Sequence, residues 1–407
     1  MKNINQAKSS ISRRKFLGST AAAAALTMVP VSYACKSTPA AVPVTPDKLN
    51  SNFGGVQIGA ITYSWRSMPG GLDNIIKYCK ETGISSIELM SNDLEEYLGA
   101  PKNPMMGMFG PPAGGQRPAG GAPGGIAPPP GAPPAGGAPG TGGPPAGGAP
   151  GAGGPPAGGA PGAGGPPAGG APAGAPMGGF QRPQLTPEQE AAIAKYNQEM
   201  KDWRVALPIT KVEEARKLFD VAGIGVHIVK FSPSRWSDEE IEYAFKAAKA
   251  MGAKGVCEEI GEEAVKKLGP IAEKHGMYAI FHNHMQFATE GFSYDPFLAV
   301  SPAVMMNFDA GHFFGSTGMH PNTIIEKYHD RIFSMHLKDK TGPNTEPVNT
   351  NQVWGQGQVP LEDVLLLIKK NKWPLYCDIE LEYDIKPWSN AVRETKTCVQ
   401  YARNILI

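Results

Sequence analysis

The sequence predicts an α/β fold, a closed (β/α)8 or TIM barrel, and three observations lead to it. Eight short apolar segments have the composition of buried strands, and amphipathic segments with helical spacing alternate with them. Alternating strands and helices build a parallel sheet, because each helix crosses back over a face of the sheet. Eight such units in roughly 270 residues fit a TIM barrel, whose usual length is about 250 residues.

The strand candidates are short runs rich in Val, Ile, Met and Phe that end at turn or polar residues. In chain order they are residues 56–62, 86–90, 225–231, 255–257, 277–281, 304–308, 332–337 and 375–379. The helix candidates are residues 73–81, 188–203, 211–221, 238–251, 262–275, 322–328, 361–370 and 390–404. In the seventh of these, Leu361, Val364, Leu365 and Ile368 mark one apolar face at helical spacing.

One long segment cannot contribute to a barrel core. From residue 101 to 187 the chain is mostly Gly, Pro and Ala, and an eleven-residue unit begins at Gly151 and again at Gly162. A segment almost without apolar side chains cannot offset its ordering entropy, and this one lacks the strict glycine period of collagen. We therefore predict a low-complexity, disordered insertion after the second strand, which divides one barrel domain into residues 54–100 and 188–407.

The N-terminus has the features of an export signal. Arg13 and Arg14 precede an apolar, Ala-rich stretch at residues 21–31 that is too short to span a bilayer comfortably. Paired arginines before such a stretch indicate a bacterial twin-arginine signal over residues 1–34, followed by a linker over residues 35–53. Cleavage after Ala34 and lipidation of Cys35 both remain open. We therefore expect a periplasmic protein, either free or held at a membrane by a lipid anchor on Cys35.

Composition and motifs argue against several functions. The formal net charge is +1 and charged residues make up 18% of the chain, so no basic surface is available for nucleic acid. Neither a Walker loop nor a G-x-S-x-G elbow nor a Rossmann glycine pattern follows a strand. The remaining cysteines lack the spacing of a zinc knuckle or redox motif and are predicted to be buried apolar residues: Cys79, Cys257, Cys377 and Cys398. Oligomeric state cannot be inferred from the sequence.

Residues that can bind a metal follow the last strand candidates. Asp309 and His312 lie just past the sixth, His336 lies in the seventh, and Glu380 ends the eighth. The C-terminal ends of barrel strands meet at the catalytic face, and imidazole together with carboxylate suits Zn, Mn, Fe or Co. This pattern indicates a metal centre. For His336 the alternative is a barrel-filling histidine bonded to an acid of a neighbouring strand.

Successive side chains of a strand point to opposite faces, so residues two apart share a face and only their depth along the strand distinguishes them. Glu380 and Glu382 share a face with Asp378, and we expect Glu380 at the metal and Glu382 at the rim. His282 and His284 likewise share a face. The deeper His282 is the expected ligand and His284 the expected substrate contact, although both are also compatible with rim residues that bond loop backbone.

Further residues at or just past strand ends are candidates for a role in the site. Glu258 and Glu259 end the fourth strand and Glu88 ends the second, and a carboxylate at such a position is either a general base or a solvated loop acid. Lys338 is expected to point away from His336 or to reach along the rim. Asp339 is expected either to hold His336 or to cap the next turn.

Three segments together resemble the xylose-isomerase-like barrels, a superfamily of sugar phosphate isomerases and epimerases that also includes endonuclease IV. They are Phe308-Asp-Ala-Gly-His312, Arg331-Ile-Phe-Ser-Met-His-Leu-Lys-Asp339 and Gly355-Gln-Gly-Gln-Val-Pro-Leu361. The resemblance runs from Gly54 to the end of the chain, without the insertion. In ketose epimerases of this superfamily, Glu, Asp, His and Glu on strands five to eight hold one divalent cation.

The resemblance places this four-residue pattern on His282, Asp309, His336 and Glu380. It implies one divalent ion, Mn, Zn, Co, Fe or Mg, and a small-molecule sugar or sugar derivative as substrate. The histidine at position 282 departs from the pattern. Those epimerases use both metal-bound glutamates to move a proton at either face of the substrate, and this chain has only the second one.

The chemistry implied by the resemblance is removal of a proton beside a metal-bound carbonyl. Return of the proton gives epimerisation or isomerisation, and loss of a leaving group gives elimination. Glu380 or Glu258 is the expected base, and Lys338 is expected near the enediolate. The expected substrate-binding residues are His284, His312, Glu88 and Trp65, whose indole ring either stacks on a sugar or packs under a loop.

The function predicted first is a metal-dependent sugar isomerase or epimerase. One alternative is a lyase or hydrolase that acts on 3-keto-glycosides with the same metal site. Another is a periplasmic sugar-binding barrel without turnover, and a third is phosphodiester hydrolysis of the endonuclease IV kind, which needs further metal ligands.

Overall fold

A computed structural model describes residues 49–104 and 185–407 of the chain, and its centre is a closed barrel of eight parallel strands. The strands are β1 (Val56–Ile61), β2 (Ser86–Met90), β3 (Gly225–Lys230), β4 (Gly255–Glu259), β5 (Tyr278–His282), β6 (Val304–Asp309), β7 (Ile332–Leu337) and β8 (Tyr376–Ile379). Each strand pairs with its neighbours in chain order, and β1 pairs with both β2 and β8. The predicted (β/α)8 barrel is therefore confirmed.

Several expectations fall on residues outside this description. They are the export signal, the lipidation of Cys35 and most of the Gly/Pro-rich insertion. The described end of the predicted linker packs on the barrel, because Ser51 is buried and the short strand Asn52–Phe53 pairs antiparallel with the start of β1. Within residues 49–104 and 185–407, no helix has both the length and the apolar character needed to cross a membrane.

The described residues contain eleven α-helices, of which the sequence predicted eight. They are α1 (Leu72–Thr82), α2 (Ser91–Tyr97), α3 (Pro187–Ala206), α4 (Ile209–Ala222), α5 (Asp238–Ala250), α6 (Glu262–His275), α7 (Asp295–Leu298), α8 (Ala310–Thr317), α9 (Asn322–Tyr328), α10 (Leu361–Asn371) and α11 (Ala391–Leu406). The unpredicted ones, α2, α7 and α8, span only four to eight residues. Segments of that length show too few turns for a helical period to be recognised.

The barrel strands bury apolar residues on their outer face and polar residues on their inner face. Ile87 and Leu89 of β2 pack outward into the main core beneath the helices. Between them Glu88 points into the barrel and is fully buried, as is Asn307 on β6. TIM-barrel interiors are usually filled by Val, Ile and Leu, so a buried polar layer marks this interior as the place to look for chemistry.

The lower part of the barrel interior is closed by a hydrogen-bonded triad. Asp378 Oδ2 lies 2.9 Å from His227 Nε2, and His227 Nδ1 lies 2.8 Å from Ser86 Oγ. Burial raises the pKa of Asp378, and the contact with His227 opposes this rise. Gly59 makes room for the carboxylate, because a Cβ at that position would lie 2.0 Å from Asp378 Oδ1. Asp378 therefore belongs to the barrel floor rather than to the strand-end cluster.

Helix α3, which follows the insertion, is tied to the rest of the barrel by Arg204. Its guanidinium binds Glu95 of α2 at 2.8 and 3.1 Å and Glu240 of α5 at 3.0 Å, and it lies 3.5 Å above the Trp236 ring. A bidentate, largely buried pair of this kind is more specific than a surface ion pair. The two described parts of the chain are therefore packed as one domain, and all four described cysteines are buried and unpaired in it.

Asp93 in α2 makes the stability of the domain depend on pH. Burial raises its pKa to about 6, against the opposing hydrogen bonds from the Gly71 N–H and the Thr62 hydroxyl. A folded-state pKa above the unfolded value of about 3.9 means that the contribution of Asp93 is most favourable below pH 4 and is lost as pH rises through 6. We expect Asp93→Asn to raise the free energy of unfolding by about 1–2 kcal/mol at pH 7.5 and to change it little at pH 4.

Urea unfolding at the two pH values measures this difference. Asn92→Ala is the control, because it changes an exposed neighbour of Asp93 without removing a titratable group and should have the same small effect at both pH values. An equal effect of Asp93→Asn at both pH values would contradict the role given to its carboxyl group.

Candidate metal centre

The four residues expected to bind the metal meet at the C-terminal ends of adjacent strands. His282 ends β5, Asp309 ends β6, His336 lies in β7 and Glu380 follows β8. The register pairs Asp309 directly with His336. All four are buried, and one potential ligand atom from each lies within 4.8 Å of those of the other three. The fold thus brings the expected set together from segments up to about 100 residues apart in the chain.

The donor set fits a divalent cation. The buried His282 Nδ1 atom has no hydrogen-bond partner among the described residues. The buried Asp309 Oδ2 and Glu380 Oε2 atoms face the cationic groups of Lys338 and His336 at 2.6 to 2.9 Å, which marks the cluster as a place that holds positive charge. Leaving a buried polar atom without a partner costs about 1–3 kcal/mol, and a charged one more. Burial, and next the charge of His336, lower the pKa of His282 well below its usual range, so its imidazole is neutral and able to bind a metal.

The balance of charge around the cluster also favours one divalent ion. Five carboxylates surround it, and three lysines face them. These groups are Glu88, Glu259, Asp309, Glu380 and Glu382, and Lys230, Lys338 and Lys340. When the histidines are neutral, as metal binding requires of His282 and His336, the lysines leave two negative charges uncompensated, which is what a single divalent cation neutralises. A second divalent ion would leave an excess of positive charge in a buried place.

Glu88 lies beneath the cluster and not at its rim. Its Oε2 lies 2.9 Å from His336 Nε2 and accepts a hydrogen bond of 2.9 Å from Asn307 Nδ2. The expectation that Glu88 binds substrate is therefore wrong, because its side chain is fully buried. It turns the other ring nitrogen of His336, Nδ1, towards Glu380 at 2.9 Å. A carboxylate behind a metal-binding histidine orients the ring and raises its basicity.

Lys338 occupies the centre of the carboxylates, which corrects a second expectation. It lies two residues after His336, so it points into the barrel like His336 and is 2% exposed. Its Nζ lies 2.9 Å from Asp309 Oδ2, 2.6 Å from Glu380 Oε2 and 2.7 Å from Glu382 Oε2. Burial lowers the pKa of Lys338, but these carboxylates outweigh it and raise that pKa. Glycine at 311 is required, because a Cβ there would lie 2.2 Å from Lys338 Cγ.

Two histidines lie above the cluster, towards solvent. His284 is the more accessible, with 48% of its side chain exposed, and its Nε2 lies 3.0 Å from Glu259 Oε2. The hydrogen bond to Glu259 raises the pKa of His284. His312 Nε2 lies 3.5 Å from Glu382 Oε2, and burial followed by the charge of Lys338 lowers the pKa of His312 to about 2. The outer layer therefore offers one histidine that titrates and one that stays neutral.

Glu258 is not in the site, whereas its neighbour Glu259 is. Glu258 points out of the barrel and accepts hydrogen bonds from the backbone N–H groups of Ser234 at 2.8 Å and Glu259 at 2.9 Å. The expectation that Glu258 acts as the base is therefore wrong. Glu259 points inward, where Lys230 Nζ lies 2.6 Å from its Oε1. Cys257 also points inward, so the period of two in β4 was the signal that could have separated the two glutamates.

Trp65 and Asp339 support the site from outside it. Trp65 is buried against Tyr78, and its Nε1 donates to Thr395 Oγ1 at 3.1 Å, so the indole packs in the core and does not stack on a ligand. Asp339 caps the following loop, which was one of the two roles expected of it. It accepts hydrogen bonds from the N–H groups of Gly355, Gly357 and Val359 at 2.8 to 3.1 Å.

Two polar residues near the cluster were missed in the sequence. Asn283 brackets Asp309, because its Oδ1 accepts from the Asp309 N–H at 3.0 Å and its Nδ2 donates to the Asp309 carbonyl at 3.3 Å. Lys340 is buried, and its Nζ lies 3.4 Å from His312 Nδ1. Neither position carries a local signal of its role, since both follow from contacts between different strands.

Comparison with known proteins gives one family match and several distant relatives. Residues 204–401 match the xylose isomerase-like TIM barrel family. The chain is 27% identical over 153 residues to an inosose dehydratase of Clostridium beijerinckii, covering 33% of this chain and 51% of that protein. It is 26% identical over 153 residues to inosose dehydratase 1 of Bacillus cereus, again covering 33% of this chain and 51% of that protein. The chain thus spans about half the length of the curated relatives that it matches.

Among solved structures, the chain is similar to the probable 3-DHS dehydratase AsbF of Bacillus anthracis. The two are 11% identical with a TM-score of 0.46, and the match covers 84% of this chain and 98% of that one.

Proposed function

We propose that this chain, whose residues 204–401 match the xylose isomerase-like TIM barrel family, is a divalent-metal-dependent enzyme. It removes a proton beside the carbonyl of a sugar-derived ketone and eliminates a leaving group from the next carbon. One observation carries the proposal. Buried ligand atoms of four residues at the ends of adjacent strands converge beneath a layer of polar residues that can contact a substrate. The inosose dehydratases among the relatives support elimination as the outcome.

The metal has a limited and specific part in this proposal. When bound by His282, Asp309, His336 and Glu380, a divalent ion supplies a Lewis acid that polarises a carbonyl and acidifies the neighbouring C–H bond. The ammonium group of Lys338 lies between Asp309 and Glu382 and stabilises negative charge that develops on the substrate oxygen.

We assign proton transfer to the pair of His284 and Glu259. Glu380 is a poor base, because Lys338 and His336 overcome the effect of burial and hold the pKa of this carboxyl well below its usual range. His284 has the exposure to meet a substrate, and Glu259 orients its ring and raises its pKa from the ordinary value. A catalytic histidine is most effective when its pKa lies near the working pH. His312, which stays neutral, is left to bind a substrate hydroxyl.

A single imidazole base favours elimination over two-base epimerisation. Epimerisation of that kind needs a base on each face of the substrate, and here the buried, neutral His282 stands where the first carboxylate is needed. In elimination, the proton leaves the carbon beside the carbonyl for His284. The C–H electron pair becomes the new double bond, and the leaving oxygen departs with its bonding pair and gains a proton. Isomerisation shares the first of these steps and is the second candidate.

The test is incubation of the manganese-loaded protein with an inosose and with ketoses in deuterium oxide. Elimination gives an unsaturated ketone with its absorbance and a product lighter by the leaving group, whereas isomerisation or epimerisation gives deuterated sugar of unchanged skeleton. His284→Gln should abolish exchange and product with metal still bound. Neither exchange nor product on any substrate, with the metal in place, would contradict the proposed function and leave a binding barrel.

A further inference from the structure

A cavity of about 390 Å³ lies beside the metal centre, between the loop that follows β7 and the segment that follows β8. We call it the outer subsite. The loop after β7 contributes Asn351, Gln352 and Gln356 to its lining, and the segment after β8 contributes Glu382, Tyr383 and Lys386. The volume falls within the range of about 300–1,000 Å³ that is usual for small-molecule sites.

The outer subsite is joined to the metal centre by Glu382. This side chain lines the cavity, and its Oε2 also lies 2.7 Å from Lys338 Nζ and 3.5 Å from His312 Nε2. A ligand that contacts Lys338 and His312 therefore lies next to the cavity. The two places together can hold a molecule larger than the single ring that the proposed reaction requires.

The cavity wall is chemically suited to a neutral, polyhydroxylated group. Three carboxamides contribute to it, and each carries both donors and acceptors, as pairs of sugar hydroxyls do. In the part of the chain that the structure describes, the Asn351 Oδ1 atom is buried without a hydrogen-bond partner. Glu382 and Asp384 outnumber the single cation, Lys386, so the wall does not favour a phosphate or a carboxylate.

The amide side of the outer subsite is held in place by its backbone. The short strand Asn351–Gln352 pairs antiparallel with Asp339–Lys340, which follows β7 directly. The Asp339 carboxylate binds the N–H groups on both sides of Gln356, those of Gly355 and Gly357. A wall ordered in advance binds with less loss of conformational entropy than a mobile loop.

We propose that the outer subsite receives a second ring of the substrate, so that the substrate is a keto-glycoside rather than a single sugar. This inference rests on the proposed function for the position of the reacting ring at the metal centre. The leaving group is then the glycosidic oxygen. Its C–O bond breaks as the double bond forms, it takes one proton, and it leaves as an alcohol, so the reaction needs no oxidant, reductant or water.

The test compares a keto-sugar of one ring with the corresponding keto-disaccharide, in the full chain and in Gln356→Ala. We expect kcat/KM to be at least about 10-fold higher for the disaccharide, and Gln356→Ala to remove most of that preference while leaving the one-ring substrate unchanged. Gln400→Ala, on the surface of α11, is the matched control and should leave both values unchanged. Equal losses on both substrates, or no preference in the full chain, would overturn the inference.

Direct binding separates this inference from the proposed function. Cellobiose and glucose are titrated into the metal-loaded protein by calorimetry. Binding of cellobiose that is about 10-fold tighter than that of glucose, and that Gln356→Ala abolishes, supports the outer subsite even if no substrate is turned over. Equal binding of both sugars, unaffected by Gln356→Ala, contradicts it even if the proposed elimination is observed on a one-ring substrate.

Discussion

Replacing His336 or Glu380 with alanine is expected to remove the bound divalent ion and to lower kcat/KM by at least about 10³-fold, which corresponds to about 4 kcal/mol of transition-state stabilisation. Each residue contributes a potential ligand atom that is buried and lies within 4.8 Å of those of the other three residues. Water cannot readily replace these ligands in a buried site, so the remaining three should hold the ion much more weakly. Metal content after manganese loading and gel filtration measures the first effect, and steady-state kinetics the second.

Two variants set the scale of this result. His320→Ala removes an exposed histidine that pairs with Asp363 and is not part of the cluster, so this variant should retain full metal content and activity. Glu88→Gln keeps the ligands but weakens the support of His336, so metal affinity should fall by about 10- to 100-fold. Unchanged metal content in both His336→Ala and Glu380→Ala would rule out the centre as described.

The second large effect is expected for Lys338→Met in the metal-free protein. The substitution keeps most of the side-chain volume and removes the positive charge that Asp309, Glu380 and Glu382 share. Removing one partner of a buried ion pair costs about 3–5 kcal/mol, because the other partner stays buried without compensation. We therefore expect a loss of this size in the free energy of unfolding. Manganese should restore much of it, since the ion supplies positive charge at the same carboxylates.

Chemical denaturation with and without manganese measures both parts of this expectation. Lys327→Met is the matched control, because Lys327 forms an exposed pair with Asp295 and surface pairs contribute little. A loss in Lys338→Met no greater than that in Lys327→Met would show that the lysine does not compensate the carboxylates. A large loss that manganese leaves untouched would show that metal and lysine act at different places.

Local sequence was enough to predict the strands and the strand ends at which the expected ligands meet. Two strand candidates, residues 86–90 and 332–337, have the observed bounds, and the other six differ by at most two residues at an end. Apolar runs of this length are visible in sequence because each strand is buried on its outer face by helices. The four expected ligands follow from the same property: once eight parallel strands close a barrel, their C-terminal ends must meet.

Tertiary packing decided the direction and the partner of each remaining side chain. The sequence placed Glu258 and Glu259 side by side at a strand end, and the barrel turned only Glu259 inward. The predicted strand ended at residue 337, whereas the inward face of β7 continues to Lys338. Glu88 met His336 only because β2 lies across the barrel from β7, and Trp65 was covered by α11. The register between strands, with its shifts at Ile87/Glu88 and at Met306/Asn307, sets these contacts, and no local pattern encodes it.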